Sequence, residues 1–139
     1  MNSQQIHNHE QGQDWVRKHS EIWSTPGVVL LNGPMGAGKT QMVRWILAEL
    51  GSQEAASPTF AVHHRYDVLK FEVDHFDLYR LNSEWDLDET GFWDMVNETD
   101  NLVLVEWADR LPKEAFPKNR RIVQVDIELR ADGVRVFTW

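Results

Sequence analysis

The sequence predicts a single α/β domain: a mixed sheet with parallel strands at its core and an antiparallel hairpin at its C-terminal end, flanked by helices. Three observations lead there. Residues 28–31 and 102–105 are short, wholly apolar runs, the pattern of parallel strands covered on both faces. Val123, Val125, Ile127 and Leu129 instead alternate with Gln124, Asp126 and Glu128, as in a strand wetted on one face, and Ala131-Asp132-Gly133 turns the chain back into residues 134–138. Between these segments Val43, Ile46, Leu47 and Leu50 recur on one helix face, so strands and helices share the chain.

Taken in order, residues 1–13 are polar and are expected to be a flexible N-terminus, with the domain occupying residues 14–139. Trp15, Val16, His19, Ile22 and Trp23 follow at helical spacing until Thr25-Pro26-Gly27 stops the helix. The first apolar strand lies between Gly27 and Asn32-Gly33-Pro34, and the next helix begins near Thr40 and stops at Gly51, a residue suited to the left-handed position after a helix. Strands are expected over residues 60–66 and 71–79, with helical or irregular structure in the acidic stretch 82–99. The second apolar strand, the break at Leu111-Pro112 and the hairpin complete the chain.

The chain has 139 residues, enough for one core of ordinary size. Fourteen Lys and Arg against 22 Asp and Glu give a net charge of −8, which makes the chain a poor holder of nucleic acid by itself. With no Cys, disulfides and thiolate zinc sites are excluded. No apolar run approaches a membrane span and the N-terminus lacks a signal-peptide core, so a cytoplasmic protein with no membrane partner is expected. His7, His9, His63 and His64 have no spacing that closes a metal site and read as solvated, as do the carboxylates among residues 84–100. Asp88-Glu89-Thr90-Gly91 matches a GTPase D-x-x-G, but it lies in that acidic stretch and no N-K-x-D accompanies it; the match is accidental.

Gly33-Pro34-Met35-Gly36-Ala37-Gly38-Lys39-Thr40 fits G-x-x-x-x-G-K-[ST], with a buried strand before it and an amphipathic helix after it. Wrapping a triphosphate in backbone N–H groups requires a tight bend free of Cβ atoms, which Gly33, Gly36 and Gly38 permit. The helix N-terminus adds unpaired N–H groups and about half a positive charge. Lys39 is expected at the β- and γ-phosphates and the Thr40 hydroxyl at Mg²⁺. Gly33, Met35, Gly36, Ala37, Gly38, Lys39, Thr40 and Gln41 are thus the expected nucleotide contacts. A loop of this kind needs an acid at a neighbouring strand end, for the metal shell or the attacking water. Glu106, directly after residues 102–105, is placed for that task; Asp77, which strand alternation puts on one face with His75, is the other candidate. Ser57-Pro58-Thr59-Phe60 offers a hydroxyl that could sense the γ-phosphate, and Trp107 is either core packing or a stacking surface near the nucleotide.

In this order, the P-loop, Ser57-Pro58-Thr59-Phe60, His75-Phe76-Asp77-Leu78-Tyr79-Arg80 and Val105-Glu106-Trp107 resemble the TsaE (YjeE) family, over about residues 10–130. The resemblance implies a small P-loop ATPase of bacterial tRNA threonylcarbamoyladenosine biosynthesis. It would be weak alone and supported by the TsaD and TsaB proteins, whose transferase complex it resets between turnovers, with tRNA reached only through that complex. By motif, Lys39, Glu106 and Thr59 would act in catalysis, Thr40, Asp77 and Glu106 would serve Mg²⁺, and Trp107 would lie by the ATP. Pro34-Met35 replaces the family's common Asp-Leu, and Ala108 its Pro after Glu-Trp. The alternatives are a nucleotide-dependent binding module controlling complex assembly and a small-molecule P-loop kinase, for whose lid only Arg110, Arg120 and Arg121 are available.

Overall fold

The computed structural model of the chain describes residues 2–52, 62–81 and 84–139. In chain order the elements are β1 (Ser3–Ile6), α1 (His9–Lys18), β2 (Gly27–Asn32), α2 (Lys39–Glu49), β3 (His63–Asp67), β4 (Glu72–Asp77), α3 (Glu84–Glu89), α4 (Phe92–Asn97), β5 (Asn101–Glu106), β6 (Ile122–Leu129) and β7 (Arg135–Thr138). They build one seven-stranded sheet in the order β1-β7-β6-β2-β5-β4-β3. The apolar runs become β2 and β5, adjacent and parallel at its centre, with parallel β6 and β4 outside them. Antiparallel β3, and β7 with β1, complete the two edges.

Each face of the sheet buries a separate core. One gathers Val29, Leu31, Leu104, Ile127 and Phe137 beneath Trp15 of α1 and Met42, Val43 and Ile46 of α2. The other places Val103, Val105 and Phe76 beneath Leu87 of α3 and Phe92 and Val96 of α4. Because β2 and β5 are covered on both faces, their side chains have no polar alternation, and the P-loop leaves the C-terminal end of the central strand, where open α/β sheets bind ligands.

The N-terminal segment departs from the sequence expectation of flexibility over residues 1–13. Ser3–Ile6 pairs with β7, Ile6 is buried opposite Arg135, and α1 begins at His9 with the Asn8 carboxamide oxygen accepting from the Gln11 N–H at 2.9 Å. An edge strand is held mainly by backbone bonds and shows a single apolar side chain, Ile6, so it leaves no periodic trace in the sequence. The first helix is also shorter than its spacing implies. The His19 ring Nδ1 donates to the Trp15 carbonyl at 2.8 Å and the Trp23 indole N–H to that of Val16 at 3.0 Å, which closes the last turn at Lys18. A 3-10 turn, Ser20–Ile22, then delivers Ile22 and Trp23 to the core.

Gly12 is where α1 meets α2: a Cβ there would stand 2.3 Å from the Trp45 ring. We expect Gly12→Ala to lose about 1–2 kcal/mol of stability despite its better helix propensity, read as a Tm lowered by several degrees. An unchanged Tm would show that the Trp45 ring moves aside freely.

Candidate functional site

The P-loop takes its shape from two demands on its glycines. At Gly33 (φ +156°) a Cβ would lie 2.4 Å from the Ile127 carbonyl of β6, so the loop can leave the sheet only without a side chain. Gly38 (φ +109°) is the N-cap of α2, and among the described residues no side chain caps that helix, which leaves its first-turn N–H groups for an anion. The resulting cleft, about 360 Å³, is lined by Met35, Gly36, Gly38, Lys39, Thr40, Gln41, Asp77, Tyr79 and Trp107.

Three elements converge on it. The Lys39 ammonium, on the first turn of α2, donates to the carbonyls of Gly33 (2.6 Å) and Pro34 (2.9 Å) and sits 3.9 Å from the centre of the Trp107 ring. Burial lowers the Lys39 pKa, while Glu106, Asp77 and Asp109 oppose the fall. Parallel pairing of β4 and β5 sets Asp77 beside Glu106, and the Thr40 hydroxyl donates to Glu106 Oε1 at 2.8 Å. Glu106 is almost wholly buried, 2% exposed, and its Oε2 lies 2.5 Å from His75 Nε2. The Asp77 carboxylate accepts from the Tyr79 N–H at 3.1 Å. Trp107 holds a left-handed backbone (φ 60°, ψ 37°) that costs about 1 kcal/mol. Its N–H donates to the Leu31 carbonyl at 3.0 Å, so the strand pairing continues through the turn that lays its ring over Lys39 and beside Tyr79.

Lys39, Thr40, Asp77, Glu106 and Trp107, the candidates named from the sequence and the resemblance, thus come together. Thr59, with the rest of Ser57-Pro58-Thr59-Phe60, lies outside the described residues. Two features of the site were missed. Arg135 of β7 donates from Nε to the Ala37 carbonyl at 2.7 Å and from Nη2 to that of Gly36 at 3.2 Å, bracing the loop from behind. A second cleft, about 280 Å³, adjoins the first and shares Gly38 and Gln41 with it; Ile6, Asn8, His9, Trp45, Arg135 and Phe137 form its walls. The segment expected to be flexible therefore supplies part of that wall. Arg110, Arg120 and Arg121, the arginines a kinase lid would need, are instead committed to backbone carbonyls: Leu78 and Leu81; Val96, Gly27 and Asn101; Thr25 and Pro26. His63 is not simply solvated, since its Nε2 lies 2.8 Å from Asp74 Oδ1. No helix among the described residues is long and apolar enough to cross a membrane.

Fold and site together define a P-loop nucleotide-binding protein. The family model "Threonylcarbamoyl adenosine biosynthesis protein TsaE" matches residues 6–136, and the chain belongs to the TsaE family of tRNA threonylcarbamoyladenosine biosynthesis. It is 31% identical to the TsaE protein of Rickettsia bellii over 139 residues, covering 98% of this chain and 93% of that protein. With the Haemophilus influenzae TsaE it shares 39% identity over 100 residues, 71% of this chain and 62% of the relative. Among solved structures, Bacillus subtilis YdiB superposes with a TM-score of 0.68 at 26% identity, covering 98% of this chain and 82% of that one.

Proposed function

We propose that this chain is a cytoplasmic Mg²⁺-dependent ATPase, weak alone, that resets the TsaD–TsaB transferase between turnovers while those partners hold the tRNA. The observation that carries this reading is the Thr40–Glu106 hydrogen bond, which ties the P-loop hydroxyl, on the wall of the cleft that holds Lys39, to the buried acid at the neighbouring strand end beside Asp77. The two clefts share Gly38 and Gln41, which supports a nucleotide with its phosphates at Lys39 and Thr40 and its nucleoside toward Trp45, Phe137 and Arg135.

The donors fit Mg²⁺. Thr40, Asp77 and Glu106 offer only hard oxygen, and among the described residues no three His, Cys, Asp or Glu side chains converge on one ion. That suits a cation which takes phosphate oxygens and keeps several waters. Thr40 would offer an oxygen lone pair to the ion while its hydroxyl hydrogen remains donated to Glu106, and Lys39, now on its loop carbonyls, would hold phosphate oxygens. When bound, the ion supplies neutralisation of the phosphate charge. Glu106 is the base or water-orienting group.

The test is MgATP hydrolysis by the chain alone and with TsaD and TsaB. The expected result is a rate that rises with the partners and falls about 100-fold in Glu106→Gln, with nucleotide binding retained. A rate indifferent to the partners would remove the assignment to their complex. Undiminished tRNA modification by Glu106→Gln would mean that the nucleotide state controls assembly and hydrolysis is incidental.

A further inference from the structure

Glu106 has both carboxylate oxygens engaged: Oε1 by Thr40 at 2.8 Å and Oε2 by His75 at 2.5 Å. His75 projects from β4 two residues before Asp77, on the same face of the sheet, opposite Leu104 in the register. It is 5% exposed and absent from the lining of both clefts, and its polar contact is with Glu106. An ionised carboxylate only accepts, so opposite a Glu106 carboxylate the hydrogen of this contact lies on Nε2. Nδ1 is buried with no partner among the described residues, which leaves the contact with Glu106 as the one polar bond that orients the ring.

We propose that His75 is the positioning residue of the site: its Nε2–H fixes the rotation of the Glu106 carboxylate, so that Oε1 faces Thr40 and the metal position. The role rests on the nucleotide reading given above. A carboxylate tethered at one oxygen alone can swing about its last side-chain bond, and Thr40 then loses the acceptor that aims its lone pair outward. The other metal-position acid, Asp77, is held separately through the Tyr79 N–H, so the effect of His75 runs through Glu106 alone.

Two near-isosteres separate this role from simple packing. The amide nitrogen of Gln falls near the position of Nε2, that of Asn near Nδ1. Mg²⁺ is titrated against a fluorescent non-hydrolysable ATP analogue bound to each variant, and steady-state hydrolysis is followed in parallel. The expected result for His75→Asn is a Mg²⁺ midpoint raised about 10- to 100-fold, with kcat lowered and KM for ATP little changed. His75→Gln should return both to within about threefold of the original. If His75→Asn behaves as the unsubstituted protein, or if Gln and Asn are equally impaired at equal thermal stability, the role is overturned. Should His75→Asn not fold, His75→Met, which has no donor, makes the same comparison with Gln. Failure of the unsubstituted protein to bind the analogue would overturn the nucleotide reading itself, an outcome seen before any variant is compared.

Discussion

Replacing Lys39 by Ala is expected to weaken binding of MgATP by about 100- to 1000-fold, with the folded state intact. Among the described residues Lys39 donates to its own loop carbonyls, Gly33 and Pro34, so its loss removes no hydrogen bond between distant elements and, of its longer-range contacts, removes the one with the Trp107 ring. Its place in the cleft faces Glu106, Asp77 and Asp109, and these acids set the size of the effect. Without the ammonium, the nucleotide would meet Glu106, Asp77 and Asp109 with the helix N–H groups and its own metal ion to offset them. Calorimetric titration with a non-hydrolysable analogue, alongside thermal unfolding, checks both parts. Affinity within tenfold of the original would mean that the phosphates do not sit at this loop. A large fall in Tm would mean that the loop carbonyls need the ammonium in order to fold.

What could be read beforehand was local in the chain. The strand, P-loop and helix over residues 28–50 announce themselves through apolar runs, glycine spacing and helical period, all within a few residues of one another. Glu106 could be placed because the strand before it is apolar on both faces. The missed features join residues far apart. Arg135 braces carbonyls 98 and 99 positions away, and its alternating strand gives no sign of where the side chain ends. The wall built by Ile6, Asn8 and His9 depends on β1 adding to the edge of β7, a backbone event with almost no side-chain signature. His75 was legible as a neighbour of Asp77 on one strand face, but its bond to Glu106 follows from the parallel register of β4 and β5. His63 read as solvated because its acceptor, Asp74, looks like any strand carboxylate until the edge pairing and α4 bury it.

That buried carboxylate carries the largest effect expected on stability. Asp74 is wholly inaccessible and stands near the start of β4, at the opposite end of the strand from Asp77. Arg65 grips it from β3 with Nε at 2.8 Å and Nη2 at 2.9 Å, Asn101 Nδ2 of β5 donates at 2.7 Å, and His63 approaches at 2.8 Å. Arg65 reaches on to Glu98 beyond α4 at 3.2 Å, so one carboxylate links the edge strand, two inner strands and the helix layer. Asp74→Ala leaves buried donors without an acceptor and is expected to cost about 3–5 kcal/mol, a Tm lowered by at least 10 °C. Burial pushes the Asp74 pKa up, but the hydrogen bonds from His63, Arg65 and Asn101 outweigh it and hold the group well below the usual carboxylate range. The unfolded chain, with a carboxyl pKa of about 3.9, therefore takes up a proton first as pH falls. The stabilisation is complete above that value and is lost progressively below it. Denaturant midpoints measured from pH 7 down to pH 3 should fall more steeply for the unsubstituted protein than for Asp74→Asn, which starts lower and has no proton to take up at this position. Parallel acid limbs for the two proteins would show that other carboxylates govern acid unfolding and that Asp74 acts through its hydrogen bonds without a net charge effect.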